Sequence, residues 1–246
     1  MQEKLFITNR HGKKLSALLD KPEKTTKKLI ILCHGFKGYK DYYPIFNEFA
    51  EEAIKHNFEV LRPDFFGSGE SDGEFVEATT ETQTEDLQDI LKYIREQGYQ
   101  DLCLIGFSHS VSNAVQVNDG QIKCLVLWSP VLKHDHIYKR YKDTVLKQGY
   151  IIRPRHLDGT PVKIGKPMWE SFIRTDELET LKEMKVPTLG IMGSEDNKTI
   201  QKRIKKYFKL IPTEHELMIL EDVDHGLTKK RPEIISLTLD WIKKYL

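Results

Sequence analysis

The segment Gly106-Phe107-Ser108-His109-Ser110 follows an apolar run at 102–105 and precedes a short helical stretch. A strand that turns sharply into a helix holds the serine at its apex in a strained backbone conformation. The residues two before and two after must be small, because strand and helix approach closely there. The exposed hydroxyl would sit at a helix N-terminus, whose backbone N–H groups favour developing negative charge. An oxygen nucleophile served by a histidine base and by such donors performs acyl transfer. Other polar side chains able to take part gather in loops that also follow apolar runs. These loops are His34-Gly35-Phe36-Lys37-Gly38, Asp64 to Gly73, Gly193-Ser194-Glu195-Asp196 and Asp222-Val223-Asp224-His225-Gly226.

The elements that must position these loops follow from the hydrophobic rhythm. Residues 5–8 and 15–19 flank Asn9-Arg10-His11-Gly12 and read as a β-hairpin. Short apolar runs at 29–33, 58–61, 102–105, 122–128, 188–192 and 216–220 read as buried strands. Between them, residues 45–56, 82–96, 199–208 and 233–245 carry apolar side chains at helical spacing. Alternating β and α units predict a parallel sheet covered by helices on both faces, with ligands at the carboxyl ends of the strands. The stretch between Pro130 and Asp176 departs from this rhythm. Its alternating Ile and Val around Asp158-Gly159 suggest a small hairpin, and its length suggests an inserted cap over 131–176 within one domain of residues 1–246.

Together these loops resemble those of the α/β-hydrolase family. Gly106 to Ser110 resembles its Gly-x-Ser-x-Gly elbow, with Ser110 where glycine is usual. Asp64 to Ser71 resembles its Asp-x-x-Gly-x-Gly-x-Ser segment, and the order Ser…Asp…His is the family's order. The resemblance implies an α/β-hydrolase fold with a mostly parallel sheet of about eight strands, helices on both faces and a small inserted cap. It implies Ser108 as nucleophile, His225 as general base and Asp196 as orienting acid, with the backbone N–H groups of Phe36 and His109 forming an oxyanion hole. Glu195 is the rival acid. Asp196 and Asn197 could instead simply cap the helix that follows.

Within the family, the His-Gly-Phe-Lys-Gly loop and short cap look like those of small esterases near the cinnamoyl (feruloyl) esterase and monoacylglycerol lipase groups. The resemblance therefore implies hydrolysis of carboxylic esters with small or medium acyl or aryl groups, without metal or cofactor. An acyl-thioesterase and a catalytically inactive hydrolase-fold binding protein are the alternatives. Trp128, Tyr138, Trp169 and Phe172 are expected to line an acyl or aryl pocket, or else to pack the cap onto the core. Residues 131–170 carry nine Lys/Arg against four Asp/Glu, a local excess of positive charge on a chain of net charge +1. That excess raises the prospect of acidic esters as substrates.

With 39% hydrophobic and 30% charged residues, the composition is that of a soluble globular protein, and the near-neutral charge argues against nucleic acid as a partner. The expected partner is a small-molecule ester, and a homodimer is allowed. Three cysteines, Cys33, Cys103 and Cys124, each lie in a strand-like run, which suggests reduced thiols and a cytoplasmic setting. The first residues lack the basic and apolar regions of a signal peptide, and no apolar run reaches the roughly 20 residues of a membrane span.

Overall fold

Strand β3, Lys28–Cys33, is buried from Leu29 onward on both of its faces, and that burial dictates the layers around it. Alternate residues point to opposite sides of the sheet. Ile30 and Leu32 pack with Phe46 and Phe49 of helix α1 (Pro44–Lys55) and Ile234 and Ile242 of helix α8 (Arg231–Tyr245). Leu29 and Ile31 pack with Leu87, Ile90 and Leu91 of helix α2 (Thr80–Glu96) and Val111 of helix α3 (Ser110–Gln116). The run is apolar throughout because it must satisfy two cores.

The computed structural model describes residues 1–117 and 121–246, with residues 135–137 described by their backbone alone. Its main sheet has eight strands in the order β1-β2-β4-β3-β5-β6-β9-β10. Strands β1 (Gln2–Thr8) and β2 (Lys14–Asp20) form the expected hairpin, and β2 joins β4 (Glu59–Pro63) antiparallel. The other pairings are parallel and run through β4, β3, β5 (Asp101–Phe107), β6 (Cys124–Trp128), β9 (Thr188–Gly193) and β10 (His215–Leu220). The last of these departs from expectation. Strand β10 is only half-buried, because it is the free edge of the sheet, with helix α7 (Lys198–Phe208) against it.

The segment between β6 and β9 contains more helix than its sequence suggested. Helix α4 (Asp135–Gln148) ends at Gly149, whose φ of 79° is easily reached only without a side chain. Strands β7 (Tyr150–Pro154) and β8 (Pro161–Gly165) then pair antiparallel as the hairpin expected around Asp158-Gly159. Helices α5 (Lys166–Arg174) and α6 (Glu177–Lys182) lead back to the sheet. The charged faces of these short helices hide their apolar spacing. Val145, Ile151, Ile164, Met168, Trp169 and Phe172 nevertheless form a small core of their own against Phe75 and Ala78. Among the described residues, no helix is long and apolar enough to cross a membrane.

Candidate active site

Ser108 stands between β5 and α3 with φ at +55°, a left-handed conformation that a side chain resists. Neighbouring groups impose it. The Ser108 N–H donates to the Trp128 carbonyl at 2.8 Å, extending the ladder between β5 and β6 past the end of β5. At Gly106, an added Cβ would lie 3.0 Å from the Ser110 carbonyl oxygen and 3.1 Å from Ala114 Cβ, so strand and helix cross closely enough that a side chain would crowd both. Ser110 is fully buried and does more than replace glycine. Its Oγ accepts the Phe107 N–H at 2.8 Å and lies 3.0 Å from the carbonyl oxygens of both Cys33 and Phe107, one of which takes its proton. The hydroxyl thus ties the elbow to the end of β3.

Two further loops meet Ser108. His225 Nε2 lies 2.9 Å from Ser108 Oγ, and His225 Nδ1 lies 2.7 Å from Asp196 Oδ2. The carboxylate requires a proton on Nδ1, which leaves Nε2 free to accept the serine proton. The Asp196 side chain is only 4% exposed, whereas the His225 side chain is 39% exposed and open to the cleft. Asp196 does not cap α7. Asn197 does so through Oδ1, which accepts the N–H groups of Thr199 and Ile200. Gln201 Nε2 lies 2.8 Å from the Asp196 carbonyl and 2.9 Å from that of Ser194, and so pins the acid loop. Glu195 turns away and pairs with Lys229 at 2.9 Å.

The loop after β3 lies beside the elbow. An added Cβ on Gly35 would meet the Phe107 ring at 2.9 Å and Ser108 Cβ at 3.1 Å, so close approach requires the glycine. Lys37 holds a φ of 62° in this turn. His34 is buried and neutral, since burial pushes its pKa down; Nδ1–H donates to the Gly35 carbonyl and Nε2 accepts the Phe65 N–H. Below it, Lys40 Nζ pairs with the buried Asp64 at 2.6 Å, while Asp64 also accepts the N–H groups of Lys40 and Glu70. Gly69 covers this carboxylate so closely that a Cβ would fall 2.1 Å from Asp64 Oδ2. The main-chain N–H groups of Phe36 and His109 donate to no carbonyl among the described residues, and both residues border the same cavity as Ser108.

Residues 24–158, more than half of the chain, match the hydrolase family described as Serine aminopeptidase, S33. The chain belongs to that family. Among solved structures, the chain is similar to Est1E from Butyrivibrio proteoclasticus with ferulic acid bound, at a TM-score of 0.84 and 19% identity, over 98% of each chain. It is also similar to the α/β hydrolase GrgF from Penicillium sp. sh18, with a TM-score of 0.83, 17% identity, and 100% and 99% of the two chains covered. An esterase from Exiguobacterium antarcticum gives a TM-score of 0.72 at 16% identity, over 98% of this chain and 100% of that one. These likenesses establish the α/β-hydrolase fold. An uncharacterized 31.7 kDa protein of Escherichia coli, from the traX-finO intergenic region, is 34% identical over 105 residues. That match covers 40% of this chain and 35% of the relative.

Ser108, Asp196 and His225 border a cavity of about 340 Å³ with Phe36, Tyr43 and His134 among its other walls. The four expected pocket residues divide. Trp128 is not in the cleft: it is fully buried at the end of β6, edge-on to Phe49, with Nε1–H donating to Thr238 at 2.9 Å. The parallel ladder turns its side chain towards the α1 and α8 face of the sheet, which its position in the sequence alone could not reveal. Phe172 stands one layer behind the cleft and lines the neighbouring cavity, packing on the cleft residues Phe36 and His109 at 5.6 and 5.7 Å and stacking on His134 at 4.9 Å. Trp169 lies behind Phe172, and Tyr138 stacks on Trp169 at 5.7 Å. Burial holds the His109 imidazole neutral, with a pKa pushed down to about 4.

The residues that sequence reasoning missed are Gln201, which fixes the acid loop, and His134, whose Nε2 lies 3.1 Å from His109 Nδ1. A glutamine one turn into α7 gave a weak signal. His134 gave none, because its partner is distant in sequence.

Proposed function

We propose that the protein hydrolyses carboxylic esters of small or medium acyl or aryl groups through an acyl-enzyme on Ser108. The observation that carries this reading is the continuous contact from Ser108 Oγ through His225 to Asp196, at 2.9 and 2.7 Å. In this reading His225 Nε2 takes the Ser108 proton as Oγ attacks the ester carbonyl. Asp196 steadies the imidazolium. The carbonyl oxygen becomes an oxyanion that accepts the N–H groups of Phe36 and His109, each worth about 3 kcal/mol in the transition state. His225 then protonates the departing alkoxide, leaving Ser108 acylated, and a water activated by the same histidine releases the acid.

The Phe36 ring, which borders the cleft and is backed by Phe172, suits an acyl or aryl group, and the bound ferulic acid of Est1E is such a group. An aminopeptidase must hold a free α-ammonium, for which a carboxylate is the natural partner. Lys37, which borders the cleft, has the opposite charge, so ester chemistry is favoured over peptide chemistry. The inserted segment serves as the cap that selects the acyl group. Three free, buried cysteines fit a reducing compartment such as the cytoplasm.

Turnover of p-nitrophenyl acyl esters, methyl hydroxycinnamates, acyl-CoA thioesters and amino-acid p-nitroanilides, each with the native protein and S108A, tests this. Ester turnover that vanishes in S108A is expected. Faster turnover of the anilides or thioesters would overturn the ester assignment.

A further inference from the structure

Beyond the cleft lies a second cavity of about 310 Å³, which shares Phe36 and Lys37 with it. Its apolar wall is made by Ile151, Ile164, Trp169 and Phe172 of the inserted segment. Its polar wall is cationic: Lys37, Arg140 and Arg153 all border it, and no carboxylate does among the described residues. The two guanidinium groups bracket the Tyr141 ring, with their centres 5.3 and 5.2 Å from its centroid. None of the three cations has a salt-bridge partner among the described residues. Elsewhere on the protein basic side chains commonly do have one, as at Lys40–Asp64, Arg62–Asp20 and Arg231–Glu48. Burial, and then the nearby Arg153 and Arg155, pushes the Lys37 ammonium below its ordinary pKa. Arg140 and Arg153 are exposed, and the half-buried Lys37 ammonium donates to the Pro154 carbonyl, so what the two guanidinium groups offer an entering anion is a paired, charge-assisted contact beside the apolar wall.

We propose that this second cavity is a carboxylate-binding subsite, and that the preferred substrates are esters whose apolar acyl group ends in a carboxylate. The inference rests on the ester-hydrolase reading of Ser108 and deepens it. In that reading the Phe36 N–H meets the reacting carbonyl. Phe36 lines both cavities, and on this proposal the group attached to the carbonyl carbon, rather than the alcohol, passes its ring into the second one. There its chain lies along Ile151, Trp169 and Phe172. Its terminal carboxylate meets the planar donor faces of Arg140 and Arg153, which are suited to paired hydrogen bonds. Tyr141 keeps the two arginines in place through cation–π contact.

The test compares mono-p-nitrophenyl suberate with p-nitrophenyl octanoate, which has the same acyl length without the charge. The native protein is expected to favour the suberate by about tenfold in kcat/KM at low salt, chiefly through KM. The ratio should fall towards one in R140Q/R153Q and should persist in K142Q/K147Q, which removes two exposed charges of α4 outside the cavity. A native ratio near one overturns the proposal. So does a ratio untouched by R140Q/R153Q, or one lowered equally by K142Q/K147Q, since the last result reports a diffuse field. Calorimetric titration of monomethyl suberate into S108A reads the subsite without chemistry. If neither ester turns over, the ester reading fails, and this titration still decides the subsite. Binding weakened about tenfold by adding R140Q/R153Q supports it; binding that does not change refutes it.

Discussion

At the carboxyl end of the main sheet, the carboxylates that face the site are buried and each holds a partner. Asp64 holds Lys40, Asp196 holds His225, and Ser110 joins Phe107 to Cys33. In the segment between β6 and β9 the balance is reversed. Arg140 and Arg153 face a cavity with no acid partner among the described residues, and the apolar core beneath them is small. The first region is built so that one arrangement of atoms is far more stable than any other, as a reaction with exacting geometry requires. The second keeps its charges available for a ligand. Machinery and selection are thereby separated, and each can be disturbed without the other.

Four tests at the sheet end would break or sharpen that contrast. The largest effect is expected from Asp196→Asn, which leaves the ring of His225 in place but favours the wrong tautomer. Ester kcat should fall by about 10⁴-fold, whereas Glu195→Gln should change it less than about twofold. Steady-state kinetics on p-nitrophenyl acetate will separate these; similar losses in both variants would mean that the carboxylate beside His225 is not the one that matters. Lys40→Ala should come next. It leaves Asp64, whose side chain is 0% exposed, charged and without its cation, at a cost of about 3–5 kcal/mol. The readout is the urea unfolding midpoint.

The third prediction concerns pH. Because the buried His109 has a pKa of about 4 in the fold, the unfolded chain takes up a proton as pH falls through about 6.5 while the native protein does not. The His109 contribution to stability should therefore decline from about pH 6.5 down to about pH 4, by at most about 3 kcal/mol, and level off below that, while the buried His34 adds to the decline with the same sign. His109→Gln should make the decline shallower, without abolishing it, in denaturant titrations across that window. Ser110→Ala should have the smallest effect. It orphans the Phe107 N–H and should cost about 1–3 kcal/mol of stability. If Ser110→Ala instead abolishes activity while stability holds, Ser110 has a role in the chemistry that its contacts do not suggest.

The same contrast explains what could be read from sequence. The parallel strands and their loops were legible because a strand buried on both faces is apolar throughout and because Gly106, Gly69 and Gly35 sit where a Cβ would collide. Ser108, Asp196 and His225 could be singled out from loop position and order, and the fold brings them into contact. Trp128 could not be placed, since either face of a buried strand accepts an aromatic ring. Helices α4 and α5 were hidden by their charge, as their apolar stripe is narrow and meets only a small core. The second cavity was invisible for a related reason. Lys37 comes from the loop after β3, Arg140 from α4 and Arg153 from β7, and only the fold assembles them.

The central claim is that Ser108 is the nucleophile, and trapping it covalently tests this most directly. Treatment with a fluorophosphonate followed by intact mass and peptide mapping should give one adduct on Ser108 in the native protein. Labelling should be slowed by at least about 10³-fold in His225→Ala and absent in Ser108→Ala. Labelling that persists in Ser108→Ala, or an adduct mapped to another residue, would contradict the account.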